Sequence, residues 1–315
     1  MNLSVIIPIL NEEKNIDPLY QELIPVLRML GHQFEIIFID DGSSDQSFNI
    51  LKKIQQKDRR VVIISFRRNF GQTAALSAGF DYATGDVIIT LDADLQNDPK
   101  DIPQLLKKLE KGFDLVNGWR FHRKDKFLTR RLPSMIANKI ISITTNVKLH
   151  DYGCTLKAFR KEITDGIKLY GEMHRFIPAV ASGMGVSIAE VKVNHRARKF
   201  GTSKYGISRT IRVILDLITV KFLLSYATQP IQIFGLLGFV SGAVGFCIAL
   251  FLTIQRQVYG IPMANRPLLL LAILLIFIGL QFVTLGLLGE IQARTYHEAQ
   301  NKPIYVIREI LKKDI

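Results

Sequence analysis

The stretch Val87-Ile88-Ile89-Thr90-Leu91-Asp92-Ala93-Asp94-Leu95-Gln96 decides the fold, because an apolar run passes directly into a polar segment with two carboxylates. The apolar half predicts a buried strand, and an open α/β sheet binds its ligand beyond the carboxyl ends of its strands. Carboxylates one residue apart at such a place can share a hard divalent cation such as Mg²⁺ or Mn²⁺, which also binds substrate phosphates. Because a D-x-D pattern also occurs in ordinary solvated turns, a metal site here needs support from other loops.

Apolar runs alternate with amphipathic segments through the first third of the chain. The pattern predicts strands at 3–7, 34–39, 61–65 and 86–91, and helices at 12–30, 45–56, 72–83 and about 102–111. Such alternation indicates a mostly parallel sheet covered by helices on both faces, which is an α/β fold. Ligand-binding residues are therefore expected in the loops that leave the strands.

Four polar loops follow these strands, and parallel strands bring such loops to one edge of the sheet. The loops are Asn11-Glu12, Asp40-Asp41-Gly42-Ser43, Arg67-Arg68-Asn69-Phe70-Gly71 and the segment 92–96. The chain has no G-x-x-x-x-G-K-[ST] motif and no G-x-G-x-x-G after the first strand. A P-loop NTPase and a dinucleotide-dependent enzyme are therefore not expected.

Two later stretches are long and uncharged enough to cross a bilayer. Residues 222–255 and 267–289 contain no Asp, Glu, Lys or Arg, and about 20 apolar residues suffice for a transmembrane helix. We expect transmembrane helices at about 231–254 and 267–289. Lys and Arg are concentrated before the first and after the second, whereas the connecting loop has only Arg256 and Arg266. By the positive-inside rule, both termini face the cytoplasm.

The net charge of +13 suits an anionic membrane surface or phosphorylated substrates. No zinc-finger spacing or aromatic RNA-binding signature accompanies it, so nucleic acid is not an expected partner. Residues 207–224 predict an amphipathic helix at the membrane interface, just before the first span. A helix predicted at 129–147 fits either the membrane surface or packing on the domain core.

These motifs resemble the inverting family 2 glycosyltransferases with a GT-A (Rossmann-like) fold, and more narrowly the polyprenyl-phosphate glycosyltransferases typified by dolichol-phosphate mannose synthase. The resemblance rests on the four loops, on Val5-Ile6-Ile7-Pro8 and on Thr84-Gly85-Asp86. Three later motifs are similar to the bacterial branch of undecaprenyl-phosphate 4-deoxy-4-formamido-L-arabinose transferases. They are Asp151-Tyr152-Gly153-Cys154, Phe200-Gly201-Thr202-Ser203-Lys204-Tyr205 and Gly286-Leu287-Leu288-Gly289-Glu290.

The resemblance implies a domain order and a location. It implies a cytoplasmic GT-A domain at 1–205, an amphipathic interfacial helix at 206–229, two transmembrane helices within 230–290, and a cytoplasmic tail at 291–315. The protein would then be a multi-pass enzyme of the inner (cytoplasmic) membrane. Glycine-rich faces on the spans also make a homo-oligomer plausible.

The resemblance also assigns donor-binding and metal-binding roles. Asp41 would contact the nucleobase, and Asp92 the ribose or the metal shell. Asp94 would be the principal ligand of Mg²⁺ or Mn²⁺, assisted by Gln96. The other donor-binding residues that it implies are Pro8, Asn11, Glu12, Arg68, Asn69 and Ala93, with Arg198, Ser203 and Lys204 on a segment that closes over the diphosphate in relatives.

In the family, arginines after the metal loop receive the phosphate of the lipid acceptor. Here Arg120 and Arg131 fit best, with Arg130 as a substitute for Arg131. Contact with the membrane surface is the alternative explanation for each of these basic residues. The expected catalytic residues are therefore Asp94, Arg120 and Arg131.

One departure bears on the mechanism. Many family 2 enzymes carry a carboxylate base in an E-D motif and a Q-x-x-R-W motif, whereas this chain has Gly171-Glu172-Met173-His174-Arg175-Phe176 at the comparable place. A phosphate acceptor needs no base, because its second pKa of about 6 leaves it largely a dianion at neutral pH.

The expected reaction is therefore inverting transfer of one sugar from a nucleotide donor, expected to be a UDP-sugar, to undecaprenyl phosphate, a polyprenyl phosphate. The product would serve cell-envelope glycan modification. A processive polysaccharide synthase is the enzymatic alternative, and it requires more spans to form a channel. A catalytically inert membrane scaffold is the non-enzymatic alternative.

Overall fold

The structure is a computed structural model that describes 1–121, 138, 141–142, 147–171, 173–197 and 303–312, with isolated positions at 219, 258, 277, 280–281, 284, 287–288, 291–292 and 295. The chain divides into two compact units. The first comprises Met1–Val220 with Pro303–Ile315, and the second comprises Lys221–Lys302. The described positions of the second unit are all helical.

The first unit is built on a mixed sheet of eight strands in the order β7-β5-β6-β4-β1-β2-β3-β8. The strands are β1 (Asn2–Ile9), β2 (Gln33–Asp40), β3 (Val61–Phe66), β4 (Val87–Thr90), β5 (Leu115–Arg120), β6 (Lys157–Arg160), β7 (Ile188–Val193) and β8 (Ile307–Leu311). Strands β4, β1, β2 and β3 form a parallel centre, and β5 pairs with β7 in parallel. Strands β6 and β8 run antiparallel to their neighbours.

Continuous burial accounts for the parallel centre of the sheet. All six residues of β3 and all four residues of β4 are buried. Burial of consecutive strand residues requires that both faces be covered, which is typical of parallel sheets in α/β proteins. The α/β fold expected from the alternating apolar runs is therefore confirmed.

Six α-helices are described. They are α1 (Ile16–Met29), α2 (Ser47–Lys57), α3 (Gln72–Tyr82), α4 (Ile102–Leu109), α5 (Lys161–Gly166) and α6 (Ile177–Ser182), with 3-10 turns at Pro99–Asp101 and Met173–Arg175. Helix α1 begins four residues later than the sequence pattern predicts. Residues 13–15 form a turn instead, in which the Asn15 N–H donates to the Glu12 carbonyl at 2.9 Å, and the left-handed φ of +52° at Asn11 keeps the helix from extending further back.

Strand β8 was not predicted. It lies in the segment 291–315, which the resemblance implied to be only a cytoplasmic tail, and it pairs antiparallel with β3. Its residues alternate between half-buried and exposed, so its sequence carries no continuous apolar signal. The chain therefore returns to the sheet of the first unit after Lys302.

The predicted membrane segments fall mostly outside the described residues. The span at 231–254 lies wholly outside them, and the span at 267–289 is described only at scattered positions. The predicted helices at 129–147 and 207–224 are likewise described at only a few positions. Among the helices that the structure does describe, none combines the length and apolarity needed to cross a membrane.

Candidate active site

The loops that follow β1 and β2 are joined by hydrogen bonds. The Asn11 side-chain oxygen accepts from the Ser44 backbone N–H at 2.8 Å, and the Asn11 N–H donates to Ser43 Oγ at 3.0 Å. The Glu12 N–H donates to Ser47 Oγ at 2.9 Å. Asn11 and Glu12, both predicted to bind the donor, therefore lie in a loop fixed against the loop after β2.

Adjacent carboxylates at the end of β2 have different partners. Asp40 accepts from Ser65 Oγ on β3 at 3.1 Å. Asp41 accepts from the backbone N–H groups of Phe70 and Gly71 at 2.6 and 2.9 Å. Burial raises the pKa of Asp41 to about 6, although the two amide hydrogen bonds oppose that rise. Asp41, the predicted nucleobase contact, thus joins the loop after β2 to the loop after β3.

Gly42 allows these two loops to touch. Its φ is +71°, and a Cβ at this position would lie 2.5 Å from the backbone carbonyl carbon of Arg68 and 2.8 Å from the Asn69 backbone nitrogen. The Arg68 guanidinium lies over the Phe70 ring at 4.1 Å from its centroid. Arg68 and Asn69, both predicted to bind the donor, therefore lie directly against the Asp41 turn.

The two carboxylates of the D-x-D motif follow β4. Gln72 Nε2, at the start of α3, donates to Asp92 Oδ1 at 2.8 Å, and the Gln96 N–H donates to Asp94 Oδ1 at 3.1 Å. Leu95 is buried and adopts a φ of +61°, a left-handed conformation that costs about 1–2 kcal/mol for a residue with a Cβ. Strain of this kind is concentrated at functional sites.

The electrostatics of this corner favour a bound cation. Burial raises the pKa of Asp92, and the negative charge of Asp94 raises it further. A dication beside the pair would reverse this effect, because it stabilises both ionised carboxylates. Carboxylate and amide oxygens from Asp92, Asp94 and Gln96 are the ligand types that Mg²⁺ and Mn²⁺ prefer. The residues therefore fit a divalent ion.

Two carboxylates and one amide do not by themselves fill the octahedral coordination of Mg²⁺. Over the described ranges there is no cluster of three or more His, Cys, Asp or Glu side chains that could hold a metal. Mg²⁺ is usually held by one or two carboxylates together with substrate phosphates. The chain would thus supply Asp92, Asp94 and Gln96, while diphosphate oxygens and water would complete the coordination.

A small cavity of about 10 Å³ adjoins Asp92, which is room for about one water molecule. Its lining includes Pro8, Gln72, Lys157 and His174. Lys157 is only 2% exposed, and burial lowers its pKa. Burial also lowers the pKa of His174 to about 3, so its imidazole is neutral at physiological pH.

The resemblance did not identify Gln72 or Lys157 as site residues. Gln72 directly follows the loop motif that ends at Gly71, and this position next to a predicted donor-binding loop could have indicated a role in the site. Lys157 is a lone lysine beside Leu156 and Ala158 in an apolar run. A charged residue within a buried strand rarely persists without a partner or a function.

Arg120 ends β5 and forms a two-point ion pair with Asp151. Nε lies 2.6 Å from Oδ2, and Nη2 lies 2.8 Å from Oδ1, with the two side chains 17% and 3% exposed. Arg120 is close enough to the D-x-D motif that its positive charge lowers the pKa of Asp92. The predicted acceptor arginine is therefore within electrostatic range of Asp92, and Asp151 orients its guanidinium.

The segment that precedes Arg198 is fixed to the D-x-D loop. The Arg196 N–H donates to the Gln96 carbonyl at 2.8 Å, and its guanidinium pairs with Asp98 at 2.6 Å. Five predicted site residues lie outside the described part of the chain. They are Arg130, Arg131, Arg198, Ser203 and Lys204.

Residues 4–167 match the family described as Glycosyl transferase family 2, and the chain belongs to this family. It is 45% identical over 314 residues to the dodecaprenyl-phosphate galacturonate synthase of Rhizobium johnstonii, covering 98% of this chain and 93% of that protein. It is 40% identical over 311 residues to the undecaprenyl-phosphate 4-deoxy-4-formamido-L-arabinose transferase of Shewanella sediminis, covering 98% and 92%.

The fold has a counterpart among solved structures. The crystal structure of glucosyl-3-phosphoglycerate synthase from Mycobacterium tuberculosis, in complex with Mn²⁺ and UDP-glucose, matches with a TM-score of 0.55 at 18% identity. The match covers 71% of this chain and 78% of that one. At this identity the similarity establishes the fold alone.

Proposed function

We propose that this protein transfers a single glycosyl group from a UDP-sugar to undecaprenyl phosphate, with inversion at the anomeric carbon. The observation that carries the proposal is the corner formed by the Asp92–Asp94 carboxylates and the Arg120–Asp151 pair. The two carboxylates suit a metal-bound diphosphate, and the Arg120 guanidinium, within electrostatic range of Asp92, suits a second anion. Full-length similarity to two transferases named for polyprenyl-phosphate acceptors supports the choice of acceptor.

In the proposed reaction the chain binds two phosphorylated substrates side by side. Asp41 and the loop 68–71 position the nucleobase, and Arg198, Ser203 and Lys204 bind the diphosphate. Asp94, with Asp92 and Gln96, would hold Mg²⁺ or Mn²⁺, which when bound neutralises charge on the departing diphosphate.

Arg120, together with Arg131 or Arg130, holds the acceptor phosphate in line with the anomeric carbon. Because that phosphate is largely a dianion at neutral pH, its oxygen attacks without a protein base. Orientation and electrostatic stabilisation then supply the rate enhancement.

The proposal includes anchorage in the inner membrane by the spans at 231–254 and 267–289, with the catalytic domain and both termini cytoplasmic. Strand β8 supports this arrangement, because the chain leaves the first unit at Val220 and rejoins it at Pro303. Any crossings between these points must be even in number. A lipid acceptor gives a physical reason for the anchor, since its hydrocarbon tail stays in the bilayer. Self-association through the glycine-rich faces of the spans remains a prediction.

The decisive experiment incubates the purified full-length protein with undecaprenyl phosphate, Mn²⁺ and a panel of labelled UDP-sugars. We expect an organic-soluble monoglycosyl lipid with one donor, and no product from Asp94→Ala with that donor. Asp86→Ala is the matched control, because Asp86 is an exposed carboxylate just before β4, at the opposite end of that strand. A long polymer would instead indicate a processive synthase, and full activity of Asp94→Ala would remove the metal site.

A further inference from the structure

The chain that follows the second unit lies against the donor-binding loops. We call residues 303–311 the C-terminal strap. Tyr305 in the strap is 5% exposed, and its ring stacks on Phe66 at the end of β3, with 5.1 Å between centroids and 13° between planes. Its hydroxyl donates to Asp81 Oδ2 on α3 at 2.7 Å. The Val306 carbonyl accepts from the Arg67 N–H at 3.1 Å.

These contacts continue from the strap to the first of the donor-site carboxylates. Phe66 packs edge-to-face against Phe70, with 5.7 Å between ring centroids. The Phe70 N–H in turn donates to Asp41 at 2.6 Å. Two residues later, at the start of α3, Gln72 donates to Asp92 at 2.8 Å. The loop after β3 and the first residue of α3 therefore hold Asp41 and Asp92, and the strap packs on the start of that loop.

We propose that Tyr305 is a positioning residue for the nucleotide donor. By fixing Phe66, against which Phe70 packs, it holds the segment 67–72 in the conformation that presents Asp41 and Asp92. This role rests on the proposed function, since it acts through residues assigned there to the donor. The positioning role falls in the segment 291–315, which was expected to be only a cytoplasmic tail.

The two ends of the strap make different contacts, which separates positioning from simple stabilisation. Leu311 pairs with Ile63 in the middle of β3 and packs on the hydrophobic core, away from the donor loop. Tyr305 lies at the carboxyl end of β3, where that loop begins. Truncation of either side chain removes apolar burial, but only truncation of Tyr305 removes the stack on Phe66, the residue that packs against Phe70 of the donor loop.

The test measures binding of UDP with Mn²⁺ to the full-length protein by calorimetry, and steady-state kinetics with the active donor. Removal of an aromatic pair is expected to raise the Kd for UDP about fivefold in Tyr305→Ala. The KM for the donor should rise by a similar factor, while kcat stays within about twofold of wild type. Leu311→Ala is the matched control, and it should lower the melting temperature without changing the Kd.

Conservative variants keep the test informative if the alanine variant does not fold. Tyr305→Phe keeps the stacked ring and should bind UDP within about twofold of wild type, because Asp81 is exposed and solvent can replace the lost hydroxyl. Tyr305→Leu keeps apolar burial but not the stack, so its Kd should rise as in Tyr305→Ala. If the Kd for UDP rose in Tyr305→Phe as much as in Tyr305→Leu, the role of the stacked ring would be contradicted.

Three outcomes separate this inference from the proposed function. If wild-type protein binds UDP and the Tyr305→Leu variant binds it equally well, the positioning role is wrong and the proposed function stands. The positioning role is also wrong if Leu311→Ala weakens UDP binding as much as Tyr305→Leu does. If wild-type protein binds no nucleotide with Mn²⁺, the proposed function fails and the positioning role fails with it.

Discussion

Substitution of Gly42 by alanine tests whether the contact between the loops after β2 and β3 matters for folding and for donor binding. A Cβ at this position would lie 2.5 Å from the carbonyl carbon of Arg68, well inside van der Waals contact. The clash is with backbone, so no side-chain rotation relieves it. The loop that carries the Asp41 hydrogen bonds must move instead.

The structure offers a control that separates the clash from backbone strain. Gly31 has a φ of +68°, close to the +71° of Gly42, but a Cβ there would have no atom within 4 Å. Alanine in the left-handed region costs about 1–2 kcal/mol at either position. Overpacking adds about 1–3 kcal/mol at Gly42 alone. The free energy of unfolding should therefore fall by about 2–5 kcal/mol in Gly42→Ala and by about 1–2 kcal/mol in Gly31→Ala.

The assay follows thermal unfolding by the fluorescence of Trp119, the one tryptophan in the chain. Trp119 lies on β5, so its signal reports on the sheet domain. With about 2–4 °C per kcal/mol for a domain of this size, Gly42→Ala should melt about 2–12 °C below Gly31→Ala. It should also bind UDP and Mn²⁺ more weakly, whereas Gly31→Ala should bind them normally. Equal melting temperatures and equal UDP affinities for the two variants would refute the reasoning.

Two further predictions concern the carboxylates. Burial raises the pKa of Asp41 to about 6 from 3.8. Between these two pH values the native state therefore keeps a proton that the unfolded state releases. The contribution of Asp41 to the free energy of unfolding is complete below about pH 3.8 and is lost as the pH rises through 6. The melting temperature of wild-type protein should thus fall between pH 4 and 6.5 relative to that of Asp41→Asn, and parallel curves would contradict the shift. Gln72→Ala removes the hydrogen bond to Asp92 and should weaken Mn²⁺ binding in the presence of UDP about 10-fold. Gln21→Ala, at an exposed position of α1, should leave Mn²⁺ binding unchanged, and equal affinities in the two variants would count against a link between Gln72 and the metal.

The parts of the fold that sequence reasoning predicted are those governed by local periodicity. The central strands are continuously apolar, and parallel pairing then brings their polar loops to one edge. Strand β8 depends instead on pairing with β3 across more than 200 positions of sequence, and its half-buried residues carry no strong pattern. The link from Gln72 to Asp92 likewise depends on the packing of α3 on β1 and β2, which propensity and spacing do not specify.

The charge distribution of the site addresses the main electrostatic obstacle to the proposed reaction. Both substrates are anionic, so a donor diphosphate and an acceptor phosphate repel each other as they approach. Burial and then the charge of Asp94 raise the pKa of Asp92, whereas the charges of Arg120 and Lys157 lower it. An acidic pair suited to a dication thus lies within electrostatic range of the Arg120 guanidinium, which suits an anion. If a dication binds the diphosphate and Arg120 binds the acceptor, positive charge offsets the repulsion between the two phosphate groups. Because Asp151 fixes the guanidinium in advance, little reorganisation remains at the moment of transfer.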